Sequence, residues 1–305
     1  MTIRLTVDRE RWWHHVTDVA AVTPGLVPVV KGNGYGFGRV GLASIAIELS
    51  PLLAVGTVHE LEGLPEAATP IVLTPTLAPP ATTEVVLTVG SFAHIEALRG
   101  WGGRVIVKLA SPMQRYGGDI SLVADAQLAG LRTVGVAIHP PLAGDDEARR
   151  EHIVEQLPMI DPSLDVWVSH LSPSTYESLP TSHQYKLRCG SYLWHGDRGA
   201  IRLEADVLDL RPVRTGMSAG YRLVPIQEDG TIVMVGAGSA NGVTALTDGR
   251  SPFHFQRQRL DLLEPPHMHT SMLFVPNGQP VPGVGDWVDV QRPLINTHAD
   301  ELRWT

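Results

Sequence analysis

The chain has 305 residues, 24 lysines and arginines against 32 acidic residues, and a formal net charge of −8. That length accommodates two domains, or one large α/β barrel with an attachment, and the acidic balance argues against nucleic acid as a partner. An ordinary apolar fraction of 43% excludes wholesale disorder, and no run, including Met1–His15, has the apolar core of a membrane span or signal peptide.

In chain order, Trp12-Trp13 and His14-His15 open an amphipathic helix suited to packing or to an interface. Short apolar, β-branched runs then recur, and they predict strands at 27–31, 52–57, 70–74, 84–89, 104–110, 133–139, 165–169 and 185–189. Helical spacing separates several of them, as in Val40, Ala43 and Ile47, or Phe92, Ile95 and Leu98. Strands alternating with helices in this way predict a (β/α)8 barrel, a TIM barrel, over residues 1–200. The single cysteine, Cys189, closes the last strand; it cannot form an internal disulfide, which fits a cytoplasmic setting. Beyond residue 200 the period shortens. Runs at 201–210, 231–235, 272–275 and 287–290, separated by turn signals such as Glu228-Asp229-Gly230, predict a C-terminal all-β domain over 201–305.

Polar residues fall at the C-terminal ends of the predicted barrel strands, where connecting loops build active sites. Lys31 ends the first strand and opens a glycine-rich loop; Lys108 lies in the fifth strand and Arg115 in the loop after it, His139 ends the sixth, Ser174 follows the seventh, and Arg188 lies near the end of the eighth. A lysine closing the apolar run Val27-Pro28-Val29-Val30 is costly to bury unless paired or covalently used, although it can also snorkel out of the barrel mouth.

These segments together resemble alanine racemases, pyridoxal-phosphate enzymes of fold type III. Val29–Gly38 resembles the family's cofactor-lysine motif, with Tyr35-Gly36 four residues after Lys31. Lys108–Gly117 is similar to its Lys-x-Asp-Thr-Gly-Met-x-Arg-x-Gly segment, Gly135–His139 to its Gly-x-x-x-His strand, and His170–Ser174 to its His-x-x-Asn-Ser. Leu187–Ser191 resembles the Val-Arg-Pro-Gly-Ile segment, and Gly285–Val288 the late Gly-Asp-x-Val turn.

The resemblance implies a pyridoxal 5'-phosphate enzyme acting at the α-carbon of a small amino acid. Lys31 would hold the cofactor aldehyde as a Schiff base and then serve as a base. Tyr35, Ser174, Gly190 and Ser191 would bind the phosphate. Arg188 would face the pyridine nitrogen and leave it unprotonated, weakening the electron sink and favouring reprotonation over transamination. His139 would lie beneath the ring and orient Arg188. Arg115 would meet the substrate carboxylate or the cofactor's phenolic oxygen, positioned by Lys108, which is often carbamylated in the family. A head-to-tail homodimer is implied, with no nucleic acid or membrane partner.

Departures from the family bear on the reaction. Its second catalytic tyrosine has no counterpart: Val235–Gly242 offers Ser239 or Ala237, depending on the alignment, and a serine is a poor base. Ala110 stands for an aspartate and Pro173 for an asparagine, and no late tyrosine appears before Leu302–Thr305. Ser239, Met268 and His269 are the candidates for substrate or partner-subunit contact. Pro265–Thr270 also looks like the metal-binding segment of D-threonine aldolase and D-serine dehydratase. His267 and His269, two apart on a predicted strand, would share a face, although substrate contact or a structural role is favoured over metal ligation. Three readings stay open: a racemase using water, His267 or His269 in place of the tyrosine; a D-amino-acid lyase, metal-assisted or not; and a cofactor-binding protein with little catalysis.

Overall fold

The computed structural model describes residues 2–305 and contains two compact units. One comprises residues 13–196; the other joins the N-terminal residues up to Trp12 to 197–305. A barrel over all of 1–200 differs from this division at the first strand, β1 (Ile3–Val7). It pairs antiparallel with β10 (Ile201–Val213), Ile3 opposite Ala205 and Val7 opposite Ile201. The burial of β1 alternates, with Ile3, Leu5 and Val7 inside, as expected for a strand laid on one face of a sheet. The helix α1 (Arg9–Ala21) carries the division between the units, and it buries Trp12, Val16 and Val19, one per turn.

The first unit is the barrel. Its strands are β2 (Leu26–Pro28), β3 (Leu52–Val55), β4 (Thr69–Val72), β5 (Val86–Val89), β6 (Arg104–Lys108), β7 (Arg132–Ala137), β8 (Asp165–Ser169) and β9 (Tyr185–Cys189). All eight are parallel and follow chain order around the sheet, from β3 to β9 and on to β2. A single bridge, Val29 to Ala54, closes the seam between β2 and β3. Continuous burial, as in the four residues of β5, is what a strand covered on both faces requires.

Helices follow most strands: α2 (Arg39–Ala46), α3 (Phe92–Ala97), α4 (Leu122–Leu128), α5 (Asp146–Val154), α6 (Pro173–Glu177) and α7 (Ser191–His195). The expected alternation lapses twice. A lone 3-10 turn, Val58–Glu60, follows β3, and no helix follows β4. There Pro75, Pro79 and Pro80 remove backbone donors and hold their predecessors out of the helical region. In α3, Ile95 is buried but Phe92 is 59% exposed, so the expected apolar face is shorter than the spacing suggested.

The second unit is built on a nine-stranded sheet. From β10 it continues through Gly230–Val235 to Ser271–Pro276 on one side and through Trp287–Val290 to Phe253–Phe255 on the other. The strand Glu301–Trp304 runs parallel to β1, where Trp304 meets Trp12 with ring centroids 5.3 Å apart. Val213, Ile226 and Ile232 form a separate core beneath the small hairpin Ser218–Ala219/Val224–Pro225.

Candidate active site

Lys31 sits three residues beyond β2, at the start of a turn rich in left-handed backbone. Gly34 has φ +63°, and a Cβ there would stand 2.5 Å from the backbone nitrogen of Arg39, so no other residue fits. Asn33 closes the turn, its Oδ1 accepting from the Gly36 amide at 3.2 Å. Tyr35 is itself left-handed at φ +57°, an unfavourable conformation that its buried ring and surroundings hold in place. Lys31 is exposed as a residue, yet its amine has a lowered pKa. Desolvation is the main cause, and Arg115 and Arg188 add repulsion that Glu60 partly offsets.

Within the barrel, Arg188 has no carboxylate partner. Its Nε donates to the Val168 carbonyl at 3.3 Å, and its Nη2 to those of Ile138 at 3.1 Å and Trp167 at 3.4 Å. Nη2 also lies 3.5 Å from His139 Nδ1, while Nη1 makes no hydrogen bond among the described residues. Burial pushes the Arg188 pKa down to about 10, still charged at neutral pH. Because an arginine can only donate, His139 Nδ1 must accept, as it does from the Ser169 hydroxyl, which places the imidazole proton on Nε2. Burial, then the charge of Arg188, pushes the His139 pKa down to about 2, so the ring is neutral. His170, left-handed at φ +67°, has its ring 4.5 Å from that of His139 and donates from Nδ1 to the Pro140 carbonyl at 3.0 Å.

Lys108 ends β6, is 4% exposed, and donates from Nζ to the Tyr116 carbonyl at 2.6 Å. Burial and the neighbouring Arg188 and Arg115 push its pKa down to about 8. Arg115 is exposed and donates from Nη2 to the Tyr116 hydroxyl at 3.2 Å. Tyr116 therefore stands between the two cations expected to act together, each about 5.0 Å from its ring centroid.

Neutral donors lie on the segments that follow β2, β8 and β9. The Tyr35 hydroxyl occupies the space that a Cβ on Gly190 would need. Burial raises the pKa of that phenol, so it keeps its proton and can donate. Beyond Gly190 begins α7, whose first amides, Ser191 included, have no acceptors within the helix. Ser174 lies in α6, at the end of the neighbouring strand β8, with its Oγ 3.1 Å from Ser172 Oγ. The chemistry of these donors suits a phosphate, and the unpartnered Nη1 of Arg188 suits a ring-nitrogen acceptor. The residues present thus fit pyridoxal phosphate.

The candidates in the second unit form a group of their own. Ser239 and Ala240 donate from their amides to the His267 and Met268 carbonyls, each at 2.8 Å. Met268 is 66% exposed, and Ser239 and His269 are exposed too. His267 and His269 lie in a loop, not on a strand: the strands end at Leu262 and resume at Ser271, and the His267 amide turns back to the Thr270 carbonyl at 2.9 Å. Alternation along a strand therefore does not place them on one face. His267 Nε2 instead meets the buried Glu264 carboxylate at 2.6 Å, and the Tyr221 ring lies 4.5 Å from its own. No group of three metal-ligating side chains occurs among the described residues.

Two of the three residues that sequence reasoning missed here lack a signal of their own. Tyr116 and Ser169 act through contacts made by folding. Glu60 does have one weak signal, a carboxylate just past a barrel strand.

Residues 7–197 match the family model for the alanine racemase N-terminal domain. A comparison with curated protein sequences returned no match. Among solved structures, the chain resembles an alanine racemase from Bartonella henselae with covalently bound pyridoxal phosphate, at 18% identity and a TM-score of 0.75, over 99% of each chain. An alanine racemase from Bacillus anthracis with bound L-Ala-P matches at 21% identity and a TM-score of 0.75, over 99% of this chain and 88% of the other. One from E. faecalis matches at 17% identity and the same TM-score, over 100% and 98%.

Proposed function

The chain belongs to the alanine racemase family, and from that premise we propose that it is a pyridoxal-phosphate-dependent enzyme acting at the α-carbon of a small amino acid. The observation that carries this reading is Arg188, a buried guanidinium without a carboxylate, held by three backbone carbonyls and a neutral histidine, with Nη1 unpartnered. When bound, the cofactor would supply an electron sink for negative charge at the α-carbon.

The chain's own residues supply the rest. Lys31 would hold the cofactor covalently, and its lowered pKa raises the fraction of neutral amine able to attack a carbonyl or accept a proton. Tyr35, Ser174 and the amides of Gly190 and Ser191 would hold the phosphate through uncharged donors. Arg188 would donate to the ring nitrogen and, unable to give up its proton, keep that nitrogen unprotonated. His139 fixes Arg188 and remains neutral beside it. Arg115, exposed and cationic, would orient a carboxylate.

With serine or alanine where the family has its tyrosine, the second proton carrier would be water, His267 or His269. A homodimer and a cytoplasmic location belong to the same proposal. No helix among the described residues is long and apolar enough to cross a membrane.

Borohydride reduction of cofactor-loaded protein tests the assignment: the fixed label should map to Lys31, and an unlabelled Lys31 sinks it. Incubating amino acids in deuterated water then separates the reactions. Label in both enantiomers marks racemisation, a carbonyl product marks the lyase reading, and no exchange marks a binding protein.

A further inference from the structure

We propose that Glu60 is the positioning residue for Lys31: its carboxylate ties the turn that carries the lysine to the end of β3, and it supplies the counter-charge to the amine. The proposal rests on Lys31 being the cofactor lysine.

The argument begins at the barrel seam. Strands β2 and β3 share one bridge, after which the Val30 amide donates to the Ala54 carbonyl at 2.8 Å. In a parallel ladder the next amide on that edge is Gly32, two residues on. Its expected partner, the Gly56 carbonyl, accepts instead from Thr74 at 2.9 Å. The Glu60 carboxylate takes its place. Its Oε2 accepts from the Gly32 amide at 3.2 Å and from the Gly56 amide at 2.7 Å. One oxygen therefore continues the seam where the two strands part, at the residue directly after Lys31.

The grip is returned from the other side. Arg39, at the start of α2 and just past the turn, donates from Nη1 to the Glu60 carbonyl at 2.6 Å and to the Glu62 carbonyl at 2.7 Å. Gly56 is needed for the approach, since a Cβ there would stand 2.9 Å from Glu60 Oε1. The segment after β3 and the turn after β2 thus hold each other at both ends.

Charge points the same way. The charged groups acting on the Lys31 amine are Arg115, Arg188 and Glu60, and His170 feels the lysine in turn; of these only Glu60 is negative. Glu60 therefore limits how far the cationic site depresses the lysine while fixing where it stands.

The test uses the full-length chain, free of cofactor, as wild type, Glu60→Gln and Glu60→Ala. Limiting acetic anhydride is applied across a pH series, and acetylation of Lys31 is read by peptide mass spectrometry. Both variants should move the midpoint of Lys31 acetylation to lower pH. Glu60→Ala should also raise hydrogen exchange at the Gly32 amide at least about tenfold, whereas Glu60→Gln, which keeps an acceptor, should not. An unmoved midpoint in both variants, with only a lower melting temperature, overturns the proposal, as does unchanged Gly32 exchange in Glu60→Ala. The borohydride label on wild-type protein separately decides whether Lys31 is the cofactor lysine.

Discussion

The hydroxyl of Tyr35 fills the space above the Cα of Gly190, so two residues 155 positions apart are mutually exclusive in size. Tyr35 has little room to retreat, being 7% exposed with its carbonyl bound by His195 Nε2 at 2.7 Å. Gly190→Ala should lower stability by about 1–3 kcal/mol, as overpacking does, and weaken pyridoxal phosphate binding at least about tenfold. Tyr35→Phe makes room, so the double variant should melt close to Tyr35→Phe alone. Additive losses in thermal unfolding would show that the two residues do not meet.

Trp194 is fully buried and donates from Nε1 to the Val29 carbonyl at 2.7 Å, two residues before Lys31. Trp194→Phe keeps most of the ring but strands that carbonyl. The expected cost is about 1–3 kcal/mol in urea unfolding, with slower capture of the cofactor by Lys31. A variant as stable as wild type would show that the carbonyl finds another donor.

His139 is neutral in the folded chain, with its pKa pushed down to about 2, whereas an unfolded histidine titrates near 6.5. Between those values the unfolded chain binds a proton that the folded chain refuses. Stability is therefore unaffected by this residue above pH 6.5 and falls as pH drops below it, by up to about 1.4 kcal/mol per unit. His139→Asn should flatten the decline in urea-unfolding free energy between pH 7 and 5. An identical slope in variant and wild type would refute the assignment.

Cys189 is buried, and that burial pushes its pKa up to about 11, a little relieved by the Leu193 amide. The thiolate is the reactive form, so the native protein should resist iodoacetamide at pH 8 and react fully in denaturant. Rapid alkylation of the folded chain, read by intact mass, would contradict this.

Much of the barrel is legible in the sequence because its signal is local. Each predicted strand overlaps an observed one, from Leu26–Pro28 to Tyr185–Cys189, since a strand covered on both faces is written as a short unbroken apolar run. Lys31, His139 and Arg188 stand out for the same reason: a polar residue ending such a run is costly unless it has work to do. The helical gap after β4 is written in the sequence too, because Pro75, Pro79 and Pro80 oppose a helix there whatever the alternation suggests.

What remained hidden depends on partners far away in the chain. The strand Ile3–Val7 carries a clean alternating pattern, yet its neighbour begins at Ile201, so its unit is set by pairing that local spacing does not encode. His267 and His269 read as a strand pair, but a turn at Thr270 and a buried Glu264 give them different surroundings. Glu60 is the sharpest case. Residue type and position make it one acid among 32. Only closure of the barrel brings the Gly32 and Gly56 amides to one carboxylate oxygen, because a hydrogen bond across a seam exists once both strands have found their register.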